Sequence, residues 1–106
     1  MRTPFNAEEI QQVPEEAGIF CLYQEQDLVY VGRTAPRTNL RNELLYALRM
    51  AMADDMLASD FTFELTRTPK TRAAEELRSY YADWGRLPLY NQPHGLPLGE
   101  RAELRR

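Results

Sequence analysis

Two short runs of β-branched and aromatic residues constrain the fold more than anything else in the chain. Gly18-Ile19-Phe20-Cys21-Leu22-Tyr23 is followed, after the polar stretch Gln24-Glu25-Gln26-Asp27, by Leu28-Val29-Tyr30-Val31, which Gly32 ends. Two such runs joined by four polar residues predict a β-hairpin. Both strands are apolar on both faces, so each needs cover on both sides. That requires helices above and below the sheet, and the rest of the sequence supplies them.

Asn6 stands before Ala7-Glu8-Glu9-Ile10-Gln11-Gln12-Val13, an N-cap followed by acids in the first turn, and Pro14 stops this short helix. Thr38 or Asn39 caps a longer helix whose stripe is Leu40, Leu44, Leu45, Leu48, Ala51, Met52 and Met56, ending near Ala58. Phe61-Thr62-Phe63-Glu64-Leu65-Thr66 alternates with period two and predicts a half-buried strand. Pro69 opens a second main helix with Ala73, Leu77, Tyr80, Tyr81 and Trp84 as its buried stripe, and Gly85 closes it. The expected fold class is α+β: a small three-stranded sheet, mixed or antiparallel, flanked by helices in the order (α)-β-β-α-β-α. All 106 residues read as one domain with its core at about 14–91, and 92–106 as an irregular tail rich in proline and glycine.

Several function classes are set aside by composition. Cys21 is the single cysteine and His94 the single histidine, so neither a disulfide scaffold nor the usual zinc finger can be built. The uncharged apolar stretches, such as Leu44–Leu48 and Gly18–Tyr23, are far too short to span a membrane, and the first residues have no apolar signal segment, so a cytoplasmic location is expected. The formal charge is −3, but it is unevenly spread. Residues 1–30 hold one arginine against six acids, and residues 50–66 hold four acids and no base. Residues 31–49 carry four arginines against one acid, and residues 67–78 carry four bases against two acids. Two basic segments that met in space would make a local positive field, which is all that a phosphate chain requires. Solvated helix faces are the plainer reading of the same pattern.

Gly18-Ile19-Phe20 and, nine residues on, Tyr30-Val31-Gly32-Arg33-Thr34 resemble the two signature strands of the GIY-YIG endonuclease family. They lead into a helix beginning Asn39-Leu40-Arg41-Asn42. Further on, Glu75 and Glu76 lie on a helix followed by Pro88-Leu89-Tyr90-Asn91, similar to the family's closing proline–aromatic–asparagine segment. The resemblance covers about residues 14–91. It implies divalent-metal-dependent cleavage of DNA phosphodiesters, with Mg²⁺ or Mn²⁺ as cofactor. Tyr30 would activate or orient the attacking water, Arg33 would contact phosphate, and Asn91 would support the site. Arg41, early in the first main helix, is the candidate for the family's phosphate-stabilising arginine. Glu76, in preference to Glu75, would be the metal ligand. A metal in that position polarises the phosphate oxygen and carries developing charge.

Two positions depart from the family pattern. The first-strand tyrosine is Phe20, which keeps the ring without the hydroxyl, and the expected helix arginine position holds Glu43. Each site residue also has a plain reading: Phe20 and Cys21 as core, Tyr30 as a core ring, Glu76 as a surface partner of Lys70 or Arg72, and Glu43 as a helix-surface carboxylate. Two functions follow. One is an endonuclease weakened by Phe20 and Glu43. The other is an inactive module of the same fold that binds nucleic acid or a protein partner, which includes a second copy of itself.

Overall fold

The computed structural model describes residues 2–92; the tail from 93 onward, with His94, lies outside the described residues. The hairpin forms as its composition predicts. β2 (Gly18–Gln24) and β3 (Asp27–Arg33) pair antiparallel, with Cys21 opposite Val31 and Leu22 opposite Tyr30. Their turn is shorter than expected, because Gln24 and Asp27 themselves pair and Glu25 takes a left-handed conformation with φ 55°. The register slips between Leu22 and Tyr23, which leaves Val29 as an extra residue on β3. The bulge explains why Val29 and Tyr30, adjacent in sequence, both join the same core cluster.

β4 (Asp60–Leu65) pairs antiparallel with β2 on its other side. The expectation of three strands is corrected here. The sheet has four, in the order β1-β4-β2-β3, because Thr3–Pro4 forms a fourth strand, β1, against Phe61 and Asp60. Every pairing is antiparallel, so of the two expected sheet types the mixed one falls away. The class is α+β, with three helices in the described chain.

α1 is short, Ala7–Ile10, and Asn6 caps it by accepting from the Glu9 N–H at 2.9 Å. α2 (Leu40–Ala53) is capped by Asn39, whose Oδ1 accepts from the Asn42 N–H at 2.9 Å. Both helices cover one face of the sheet. There Ile10, Leu40, Leu44 and Ala47 pack with Phe20, Leu22, Tyr30 and Phe61. α3 (Pro69–Trp84) covers the opposite face, where Ala73 and Leu77 pack on Ile19, Cys21 and Val31. Gly85 ends α3 at φ 70°, donating to the Tyr81 carbonyl at 2.8 Å.

The α3 stripe is shorter than its periodicity suggests. Ala73 and Leu77 are buried, but Tyr81 and Trp84 are 56% and 62% exposed. The last turn instead stacks Tyr80 on Trp84, with ring centroids 5.9 Å apart. On β4 only Phe61 is buried in the α2 face, because α2 packs on β2 and β3 and leaves Phe63 and Leu65 uncovered. No helix among the described residues is long and apolar enough to cross a membrane.

Candidate functional site

Strand alternation decides where the candidate residues go. Tyr30 sits opposite Leu22 and enters the α2 face, 2% exposed, its ring centroid 5.9 Å from that of Phe20. Val31 sits opposite Cys21 and enters the α3 face. Glu76, on α3, borders a small concavity with Ile19, Cys21, Thr62 and Glu64 on that second face. Tyr30 and Glu76 therefore lie on opposite faces of the sheet. One-metal hydrolysis needs its metal and its water-activating group at one reacting centre.

The Glu76 carboxylate is already engaged. Arg72 donates to Glu76 Oε2 at 2.8 Å and to Glu64 Oε2 at 2.9 Å, and approaches Glu75 Oε1 at 3.7 Å. The hydrogen bonds to Glu64 and Glu76 push the Arg72 guanidinium further up from its ordinary value. A cation on Glu76 would compete with this fixed charge. Among the described residues, no group of three or more His, Cys, Asp or Glu side chains comes together as a metal-ligand set. Burial pushes the neighbouring Cys21 thiol up to about 12, with the Glu76 charge adding to it. Burial, with Cys21 beside it, likewise raises the Tyr23 hydroxyl. Neither group is a nucleophile at neutral pH.

Asn91 lies at the outer edge of β3. It is 1% exposed; its Oδ1 accepts from the Val31 N–H at 2.8 Å and its Nδ2 donates to the Val31 carbonyl at 3.0 Å. In this way a side-chain amide does what a neighbouring strand would do. Arg41 points elsewhere: its Nε donates to the Val13 carbonyl at 3.0 Å and its Nη1 lies 3.5 Å from Glu15, tying the α1–β2 loop to α2. Glu43, expected on the helix surface, is 5% exposed.

The two signature-like glycines have steric reasons. A Cβ on Gly18 would lie 2.3 Å from the Glu64 carbonyl oxygen, and one on Gly32 would lie 2.3 Å from Cζ of Phe20. Close strand approach and the seating of the Phe20 ring require both.

The two basic segments do meet. Arg33, at the end of β3, and Arg67 and Lys70, at the start of α3, line one cavity of about 600 Å³ together with Thr34, Thr68 and Thr71. Arg33 stands opposite Ile19, which places it on the α3 face with Glu76 and away from Tyr30. Of the sequence candidates, then, Arg33 and Glu76 share a face, Asn91 and Arg41 serve the scaffold, and Tyr30 lies across the sheet. The motif comparison missed Arg67 and Lys70; the signal that could have found them was the charge of segment 67–78. No protein-family model matches the chain, and no curated protein or solved structure matches it.

Proposed function

We propose that the protein is a nucleic-acid-binding module built on a GIY-YIG-like pattern, acting on DNA by binding rather than cleavage. The observation that carries this reading is the separation of Tyr30 from Glu76 by the sheet. The engagement of Glu76 by Arg72 supports it further. Binding itself is supported by Arg33, Arg67 and Lys70 around one cavity, in a chain whose net charge is otherwise acidic. Local positive potential of this kind attracts polyanions and makes affinity fall with salt. The competing reading is Mg²⁺- or Mn²⁺-dependent phosphodiester hydrolysis with Glu76 as metal ligand. It requires Glu76 to leave Arg72 and Tyr30 to leave its place against Phe20.

The two are separated by incubating supercoiled plasmid with the protein and either metal while DNA binding is followed by fluorescence anisotropy over a salt series. Salt-dependent binding with no nicking is expected. Nicking that disappears in both Glu76→Gln and Tyr30→Phe, with the fold intact by circular dichroism, would overturn the binding reading.

A further inference from the structure

We infer that the cavity between the end of β3 and the start of α3 is a receptor for a phosphate monoester, presented as a strand terminus or a mononucleotide. The inference rests on the nucleic-acid reading for its biological ligand but on the cavity alone for its chemistry. The volume, about 600 Å³, falls within the roughly 300–1,000 Å³ range of small-ligand pockets. It suits one nucleotide unit entering end-on, not the flank of a duplex.

Three cations from two separate elements converge there: Arg33 from β3, and Arg67 and Lys70 from the approach and first turn of α3. A phosphate monoester carries about −1.5 to −2 charge at pH 7 and three strong acceptor oxygens, whereas a diester link inside a strand carries one charge. The monoester is the better match for three cations.

Hydrogen-bond donors point the same way. Thr34 is 1% exposed and lines the cavity; its Oγ1 accepts from the Gly18 N–H at 3.1 Å. Among the described residues no protein acceptor takes its hydroxyl proton, so a buried donor remains for a ligand. Arg33 is anchored at the rim by donating Nη1 to the Thr34 carbonyl at 3.2 Å, which fixes its guanidinium beside the cavity. Thr68 makes no side-chain cap on α3, so the first-turn N–H groups add to this field. Opposing charge lies to the sides. Glu16 borders an adjoining depression with Arg67, and Glu64, Glu75 and Glu76 are held by Arg72 one turn along α3.

The test uses the full chain and a labelled single-stranded octanucleotide with either a 5′-phosphate or a 5′-hydroxyl, with unlabelled nucleoside monophosphate and nucleoside as competitors. Arg67→Ala/Lys70→Ala is the test variant, since both side chains are exposed, and Arg49→Ala on α2 is the control. The phosphorylated strand should bind about tenfold tighter, a difference of about 1.4 kcal/mol. That preference should vanish in the double variant and persist in the control, and the monophosphate should compete where the nucleoside does not. Equal affinity for the two strands in the natural protein, or a preference that survives the double substitution, would overturn the monoester site and leave the nucleic-acid reading standing. Monophosphate binding that is lost in the double variant, with no strand bound at all, would uphold the site and refute the nucleic-acid reading.

Discussion

Replacing Asn91 by alanine removes two hydrogen bonds at once from a buried edge. Val31 is 1% exposed, and its N–H and carbonyl are met by Asn91 at 2.8 and 3.0 Å. Each such bond contributes about 1 kcal/mol net, and a buried group left unpaired costs about 1–3 kcal/mol. The combined loss should therefore be about 3 kcal/mol, a large part of the stability of a small domain. With a urea m-value of about 2 kcal/mol per molar, the unfolding midpoint should fall by about 1.5 M. Asn91→Asp makes the argument sharper. It keeps an acceptor for the Val31 N–H but sets a carboxylate oxygen against the Val31 carbonyl, so at pH 7 it should be no more stable than the alanine variant. Equilibrium urea unfolding followed by far-UV circular dichroism, with m compared across variants, reads all of this. A loss below 1 kcal/mol in Asn91→Ala would refute the edge-pairing role. If plasmid nicking were lost in that same variant, Asn91 would return to the site as a functional residue.

Gly18→Ala should cost more than 3 kcal/mol or prevent folding, because its Cβ would meet a strand carbonyl oxygen, Glu64 O, at 2.3 Å and Leu40 Cδ1 at 2.8 Å; thermal melting checks it. Cys21 titrates near 9 when unfolded and near 12 when folded, so its contribution to stability is complete below pH 9 and is lost as pH rises from about 9 to about 12. Unfolding midpoints of the natural protein and Cys21→Ala should converge across that window, and native Cys21 should resist iodoacetamide at pH 8 while the urea-unfolded chain reacts. Glu43→Arg places a larger cation where only 5% of the residue is exposed; it should destabilise the fold by several kcal/mol, visible as a lowered melting temperature, instead of creating a phosphate clamp.

Periodicity reached far into this fold where elements are long and amphipathic, and stopped where tertiary context decides. The hairpin, α2, β4 and α3 are all readable from spacing, as are the Asn6 cap and the Gly85 stop. β1 was not, because two residues ending in a proline have no period; it exists through pairing with Asp60–Phe61 and through the Phe5 N–H donating to the Ser59 carbonyl at 3.0 Å. The helical wheel placed Tyr81 and Trp84 in the α3 stripe, but a wheel cannot tell where the sheet beneath a helix ends. Alternation alone puts Tyr30 and Val31 on opposite faces. Which helix covers which face is a matter of topology, and that choice separates Tyr30 from Glu76. The basic segments were visible as charge, yet only the chain's path brings Arg33 to Arg67 and Lys70.

The residues that carry the family resemblance divide by what they do here. Gly18 and Gly32 admit a neighbouring carbonyl and the Phe20 ring, Phe20 and Tyr30 fill the α2 face, and Asn91 completes the edge of β3. Each is accounted for by packing or pairing, so a chain could hold all of them without cutting anything. Those positions speak to architecture. Chemistry would have to rest on groups that packing leaves available, and the Tyr30 ring is committed to the core while Glu76 is committed to Arg72. Arg67 and Lys70 differ in kind: both are exposed, and neither makes a hydrogen bond or ion pair with another described residue. Cations held beside a cavity with no internal partner contribute little to folding. Their placement is better explained by an anion that arrives from outside, and the phosphorylated and unphosphorylated strands measure whether it does.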